Sequence, residues 1–339
     1  MKLHLIQLRH VSRGARVGIV LEPDVVLLDE NIRTCYQLFS DIVNNGIEAG
    51  PFIQSLRSNE ILSYDEVYHS AAAWKIRPPV DCEDDPMKCM LSGTGLTHKA
   101  SAANRQKMHE RQETDQLTDS MKMYLLGEQG GKPGPEQVGV QPEWFYKGNG
   151  SVLKGHGDAL AVPGYADDGG EEPEIAGVYL ISDRGIPHRL GFVQANEFSD
   201  HLMEKQNYLY LAPSKLRHCA IGPELVVGTD FHSLEGTVKI VRKKTTLWSR
   251  NIRTGEGAMA HSLANLEHHH FKYQQHRLPG QLHIHFFGAD AFSFGDNLKL
   301  QDGDEMSISF AGMGRPLANS LKTDTEVGKV VEVKSIIDT

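Results

Sequence analysis

The residues with the clearest chemical potential are carboxylates spaced for one another. Glu171-Glu-Pro-Glu174 is followed by Asn196-Glu197 and then by Ser214-Lys215. In an extended strand residues two apart share a face, so Glu172 and Glu174 would present paired carboxylates about 7 Å apart. Two such charges withdrawn from bulk water repel, and either one takes up a proton or a hard divalent cation neutralises both. Glu197, at the end of the next apolar strand, can complete a three-carboxylate site for such a cation. A lone Glu-x-Glu pair on a solvated edge needs no cation, so the pair gains weight only from what surrounds it.

The elements that must position these groups follow from periodicity. From Trp144 onward, short apolar strands recur at 177–182, 189–194, 224–227, 236–241, 283–287 and 306–310, parted by Gly, Asp and Pro turn signals. That pattern predicts a mainly β domain with one helix near 257–271. Upstream, Leu3, Leu5 and Leu8 open a strand, 17–28 is an apolar run, and 34–44 reads as a helix, giving a small N-terminal α/β domain over 1–85. The paired prolines in Lys75-Ile-Arg-Pro-Pro-Val-Asp81 suggest a linker to a catalytic domain over 86–339. Residues 99–126 carry helix-forming charge, and the glycine-rich 127–134 ends them as a flexible loop. We expect 99–134 to form a lid that is mobile without ligand.

Composition narrows the function classes. The 339 residues are 40% hydrophobic and 23% charged, ordinary for a packed protein of unequal domains. No stretch approaches the ~18 apolar residues of a membrane span, and no export signal is visible at the start, so no membrane partner is expected. Four cysteines without CxxC spacing fit a reducing cytoplasm. The net charge of −9 argues against a nucleic-acid partner, which would demand surplus Lys and Arg. Neither a GxGxxG nor a Walker loop suggests a nucleotide cofactor.

The ordered series of Glu-x-Glu, Asn-Glu, Ser-Lys and Ile221-Gly-Pro223 resembles the fumarylacetoacetate hydrolase superfamily. Two further segments resemble it: Pro142-Glu-Trp-Phe-Tyr-Lys147 with Ser151, and Asp302-Gly-Asp304 with Ala311-Gly-Met-Gly-Arg-Pro-Leu-Ala-Asn319. The resemblance covers roughly 90–322 and implies a β-roll main domain, mainly β with α/β parts, and a homodimer. It makes Glu172, Glu174 and Glu197 the ligands of Mg2+ or Mn2+, Lys215 the main catalytic cation and Lys147 a second pocket lysine. Ser151, Ser214, Gly288 and Ala289 would line the substrate, a small-molecule 2-keto acid.

Departures from the family are specific. The third ligand is usually aspartate, and Glu197 is one methylene longer. Where an arginine usually follows, this chain reads Ser199-Asp-His201, and the family's Thr-Gly-Thr element corresponds to Phe287-Gly-Ala289. The hydrolytic His-x-x-Glu dyad is replaced by His98 followed by Ser101. Gly95-Leu-Thr-His-Lys-Ala-Ser101 with Arg105, and Tyr210-Leu-Ala-Pro-Ser-Lys215, look closer to the 2-keto-3-deoxy-pentonate (arabinonate) dehydratases of bacterial sugar-acid breakdown.

The leading expectation is therefore a lyase that dehydrates a 2-keto-3-deoxy sugar acid through a metal-chelated enolate, with His98 a third catalytic candidate. The alternatives are a hydrolase or decarboxylase of an acylpyruvate-like or oxaloacetate-like acid, and a weakly active sugar-acid binding protein. His268-His-His270 and His283-Ile-His285 invite a second metal site, against which stands the packing or subunit-contact role common for such residues. Cys219 reads as a structural thiol.

Overall fold

The structure, a computed structural model, describes residues 1–109, 117–326 and 330–337. The chain opens with antiparallel strands β1 (Leu3–His10), β2 (Gly14–Leu21) and β3 (Asp24–Leu28), followed by β4 (Arg57–Ser63) and β5 (Trp74–Ile76). Later strands are β6 (Cys89–Gly93), β7 (Phe145–Asn149), β8 (Leu153–Lys154), β9 (Ala159–Val162), β10 (Pro173–Ile181), β11 (Pro187–Asn196) and β12 (Cys219–Val227). The last are β13 (Leu234–Arg242), β14 (Thr245–Thr254), β15 (Leu282–Phe286), β16 (Glu305–Phe310) and β17 (Leu317–Thr323). The helices are α1 (Cys35–Asn45), α2 (Ala49–Ser55), α3 (Tyr64–Tyr68), α4 (Lys99–His109), α5 (Asp119–Gly130), α6 (His201–Gln206), α7 (Leu211–Lys215) and α8 (Leu263–Phe271).

The fold is mainly β, as the strand spacing implied. One large sheet runs β4-β3-β2-β1-β12-β11-β10-β15-β6-β7, with β5 added at β1 and β8 at β12. A second sheet runs β14-β13-β16-β17-β9. Every residue of β10 is buried, because both faces of the large sheet are covered. On one face Ile175, Phe192 and Val226 pack against Val238, Ile252, Ile308 and Phe310 of the second sheet. On the other, Ala176, Val178, Ile221 and Leu225 belong to a core with Leu38, Phe39 and Ile42 of α1. That helix starts where Thr34 Oγ1 accepts the Gln37 N–H at 3.1 Å, an ordinary N-cap, and buries a stripe at helical spacing.

Residues 1–85 share their sheet with the rest of the chain. β1 pairs antiparallel with β12, Leu3 opposite Val227, so the division expected at 85 crosses a continuous sheet. The stretch 75–81 is not a free linker. Lys75 and Ile76 lie in β5 against β1, and Asp81 is buried, accepting from Gln7 Nε2 at 2.8 Å and Arg77 Nη2 at 2.9 Å. Pro78 and Pro79 follow the strand, where a missing N–H ends pairing without loosening the chain.

The helical stretch expected over 99–126 is two helices, and residues 110–116 of the expected lid lie outside the described residues. The glycine-rich loop is tied down. Val140 N–H reaches Gly130 O at 2.9 Å, Ser262 N–H reaches Gly131 O at 2.9 Å, and Gly139 N–H reaches Asn265 Oδ1 at 3.0 Å. Glycine serves close approach here: a Cβ on Gly131 would strike Ala260 O, Gly127 O and His261 Nδ1. Gly131→Ala should therefore destabilise the protein by about 1–3 kcal/mol, the usual range for overpacking. Gly134→Ala, whose Cβ meets nothing nearer than Gln137 at 3.5 Å, should change stability by less than about 0.5 kcal/mol. Equal melting temperatures for the two variants would contradict this account.

Candidate active site

Strand ends bring the acidic residues together. Glu172 and Glu174 flank Pro173 at the start of β10, and Glu197 follows Asn196, which lies opposite Pro173 at the end of β11. The Glu197 N–H donates to Glu172 O at 3.0 Å, and Asn196 Oδ1 accepts the N–H groups of Glu172 at 3.2 Å and Phe198 at 3.1 Å. This fixes the strand ends locally. Glu172, Glu174 and Glu197 are buried, and each offers an oxygen within 4.8 Å of the others. The longer Glu197 thus reaches the cluster.

Two lysines answer this charge. Lys215, the last residue of α7, donates from Nζ to Glu172 Oε1 at 2.6 Å, Glu197 Oε2 at 2.7 Å and Ser199 Oγ at 3.2 Å, with its ammonium 5.0 Å from the Phe145 ring centre. Lys147 of β7 donates to Phe198 O at 2.5 Å and pairs with Glu197 Oε1 at 3.1 Å. His201 stands at the start of α6, in the segment where the resemblance leads one to expect an arginine. Its Nε2 lies 3.2 Å from Glu172 Oε1, and its ring stacks on Phe292 at 4.9 Å and Phe294 at 5.1 Å.

The electrostatics differ among the three carboxylates. Burial works to raise the Glu172 carboxyl, but Lys215 and His201 outweigh it and hold the group well below the usual range. Glu174 goes the other way: burial, then the Glu197 and Glu172 charges, push it well above that range, and its recorded hydrogen bond is from Gly288 N–H at 2.7 Å. Glu197 is also raised, by burial and Glu172, against the opposing pull of Lys215 and Lys147. Lys215 is raised despite burial because Glu172 and Glu197 favour its charge, whereas burial lowers Lys147. Three hard oxygen donors with only two ammonium groups against them, one donor left in an uncompensated field, suit a hard divalent cation.

Other expected site residues fare unevenly. His98 is buried, with Nδ1 2.9 Å from Thr97 Oγ1 and Nε2 without a hydrogen bond, and burial pushes its imidazole down to about 4. Thr97 Oγ1 donates to Phe287 O at 2.6 Å, which ties the residue before His98 to the residue before Gly288. Gly288 has φ 94°, a conformation that favours glycine, and its Cβ would strike Thr97 Oγ1. Its N–H is committed to Glu174, not free for substrate. Ala289 is buried beside it. Ser151 is exposed just beyond β7, its N–H donating to Asn149 Oδ1 at 2.9 Å. Ser214 is spent within α7, its Oγ donating to Leu211 O at 2.7 Å.

A second layer of charge escaped the sequence reading. Arg105 of α4 pairs with both oxygens of Glu143, at 2.7 and 2.9 Å, and through Nε with Glu204 of α6 at 2.7 Å, all three residues being buried. Glu143 sat within the quoted Pro-Glu-x-Phe-x-Lys segment, where only the lysine drew attention. Asp200 accepts from Arg217 at 2.7 Å, and Glu171 accepts the Ser293 N–H and Oγ–H at 2.6 and 2.8 Å.

The histidines do gather, but as neutral packing. His270 Nε2 meets His283 Nδ1 at 3.0 Å, and His285 is held by Ser92 Oγ and Thr94 Oγ1, both at 2.9 Å. Among the described residues the three glutamates are the one group spaced for a metal. Cys219 is a buried thiol pushed up to about 12 by burial, which suits a structural role.

No family model matches the chain. A 122-residue segment is 34% identical to the 2-dehydro-3-deoxy-D-arabinonate dehydratase of Saccharolobus solfataricus, spanning 34% of this chain and 40% of that protein. Among solved structures, 2-keto-3-deoxy-D-arabinonate dehydratase complexed with magnesium and 2,5-dioxopentanoate is similar at TM-score 0.69 and 21% identity, over 96% of this chain and 100% of that one. A 5-carboxymethyl-2-hydroxymuconate delta-isomerase from Mycobacterium smegmatis is similar at TM-score 0.57 and 14% identity, over 95% and 100% respectively. No helix among the described residues is long and apolar enough to cross a membrane. The chain thus shares its fold with these dehydratase and isomerase structures, and one segment of about a third of its length is similar in sequence to the sugar-acid dehydratase, of which it spans 40%.

Proposed function

We propose that this chain is a magnesium-dependent lyase that dehydrates a 2-keto-3-deoxy sugar acid. The observation that carries the reading is the buried trio Glu172, Glu174 and Glu197 with Lys215 bridging two of them, on a fold similar over its length to a sugar-acid dehydratase. The three glutamates would hold the cation, and when bound it supplies positive charge that polarises a 2-keto carboxylate. Lys147, pinned between Phe198 O and Glu197, keeps Glu197 in place. His201 does the same for Glu172.

Dehydration removes a proton from C3 and the hydroxyl from C4, so it needs one acceptor and one donor. Lys215, held protonated by its two carboxylates, is the donor: its Nζ stabilises negative charge growing on the substrate or protonates the departing hydroxyl. His98 Nε2, neutral and without a hydrogen bond, is the acceptor assigned to the C3 proton. The aromatic face of Phe145 and the buried Arg105, Glu143 and Glu204 wall the site against water. We assign the same reading a homodimer, testable as a solution mass twice that of the chain.

The direct test is a magnesium-supplemented screen over 2-keto-3-deoxy aldonates, acylpyruvates and oxaloacetate. The expected result is turnover of a 2-keto-3-deoxy pentonate to a dioxo acid. Pyruvate release from an acylpyruvate or oxaloacetate, with the sugar acids untouched, would replace the lyase by the hydrolase or decarboxylase.

A further inference from the structure

Segment 330–337 carries Val330, Val331, Val333, Ile336 and Ile337, each 85 to 95% exposed. Burying one such side chain is worth roughly 1.5–3 kcal/mol, so the five together favour a covering surface. Drawn out as a strand, the segment puts Val331, Val333 and Ile337 on one face and Glu332 and Lys334 on the other. Its recorded hydrogen bond is local, from Ile337 N–H to Ser335 Oγ at 3.3 Å. The strand before it ends beside a second exposed apolar surface. Asp324 N–H donates to Val162 O at 2.9 Å, and the turn after Val162 carries Tyr165, whose ring lies 5.1 Å from the Arg217 guanidinium, next in sequence to Leu216. Gln206 Nε2 donates to Asp167 Oδ2 at 2.5 Å and ties that turn to the stretch 206–216. Tyr165, Leu209, Tyr210 and Leu216 are 47 to 80% exposed, and the one charged residue of 206–216 is the buried Lys215.

An aromatic, charge-free patch with a charged rim is the make-up of a protein interface. The rim holds exposed Lys205 and Asp167, opposite in sign to Glu332 and Lys334 of the segment. In an isologous dimer both protomers use the same surface, so a segment that leaves its own sheet beside the patch meets the patch of the other protomer across the two-fold axis. The six residues from Asp324 to Val330 span at most about 20 Å, enough to cross there and too short for a distant face. We infer that 330–337 of one protomer packs over Tyr165, Leu209, Tyr210 and Leu216 of a second copy of this chain. The inference rests on the homodimer proposed above and not on the reaction. The patch runs directly into α7, so the partner's segment covers the helix that ends in Lys215.

The test compares the full chain with a chain cut after Glu326, by sedimentation mass at micromolar concentration. The full chain should sediment at twice its own mass and the cut chain as a single one. Val331→Asp with Val333→Asp, and separately Leu209→Asp, should each raise the dimer dissociation constant by about 30-fold or more, the scale of an interface hot spot. All three positions are exposed, so these variants should keep the fold, as circular dichroism would check. Mixing a Val333→Cys chain with a tagged Leu209→Cys chain under mild oxidation should give the mixed disulfide, since the four native cysteines are buried. A cut chain still of double mass, or dimers that yield no mixed disulfide, would overturn the exchanged segment and leave the homodimer standing. A full chain of single mass would remove both. A chain carrying both Val333→Cys and Leu209→Cys that cross-links only within itself would put the segment on its own protomer and overturn the exchange.

Discussion

Replacing Lys215 by methionine should lower turnover on the correct sugar acid by a factor on the order of 10² or more, the scale for removing one preorganised charge from a closed site. The apolar stem is kept, so packing against Phe145 survives and the loss reports the ammonium. Lys215 also bridges Glu172 and Glu197, so its removal leaves buried carboxylates without their counter-charge. Breaking a buried pair in this way typically destabilises by about 3–5 kcal/mol, and the metal-free variant should melt well below wild type. Magnesium should then stabilise the variant more than wild type, because no ammonium competes for the same two carboxylates. A catalytic lysine predicts a fall in kcat with magnesium affinity equal or tighter; a substrate anchor predicts a rise in KM alone. Wild-type kcat with magnesium bound would remove Lys215 from the chemistry.

The second large effect is acid sensitivity, set by the buried histidines. His283 and His285 are pushed down to about 3 and His270 well below its usual value, in each case chiefly by burial and then by neighbouring histidines. An unfolded histidine titrates near 6.5. Between 6.5 and those native values the unfolded chain binds protons that the native state refuses, so stability is full above about pH 6.5 and falls as pH drops below it. At pH 4.5 each such group can cost up to about 2.7 kcal/mol, and three together approach the whole stability of an ordinary protein. Glu174 and Glu197, whose native carboxyls are raised, act in the opposite direction over the carboxylate range. The melting temperature should fall steeply from pH 6.5 to 4.5, and His285→Gln, which can keep bonds to Ser92 and Thr94, should flatten the fall. A profile level across that interval would show that the cluster does not resist protonation.

The sequence by itself determined what depends on neighbours along the chain. The Glu-x-Glu spacing, Glu197 at a strand end and the helix near 34–44 were legible because strand and helix periods convert spacing directly into facing. Their meeting as one cluster was an expectation from motif order, and the β10–β11 pairing supplies its geometry. The tertiary structure alone decided the partners. Lys215 lies between two of the carboxylates, His201 turns one nitrogen to Glu172 and leaves the other bare, and Arg105 ties Glu143 to Glu204. The same holds for the glycine-rich loop, which reads as slack in sequence and is packed against Ala260 and His261 in space. Conformational preference is local and acts through adjacent residues, whereas the energy of a buried charge depends on groups brought near by chain topology, and no short-range pattern encodes that distance.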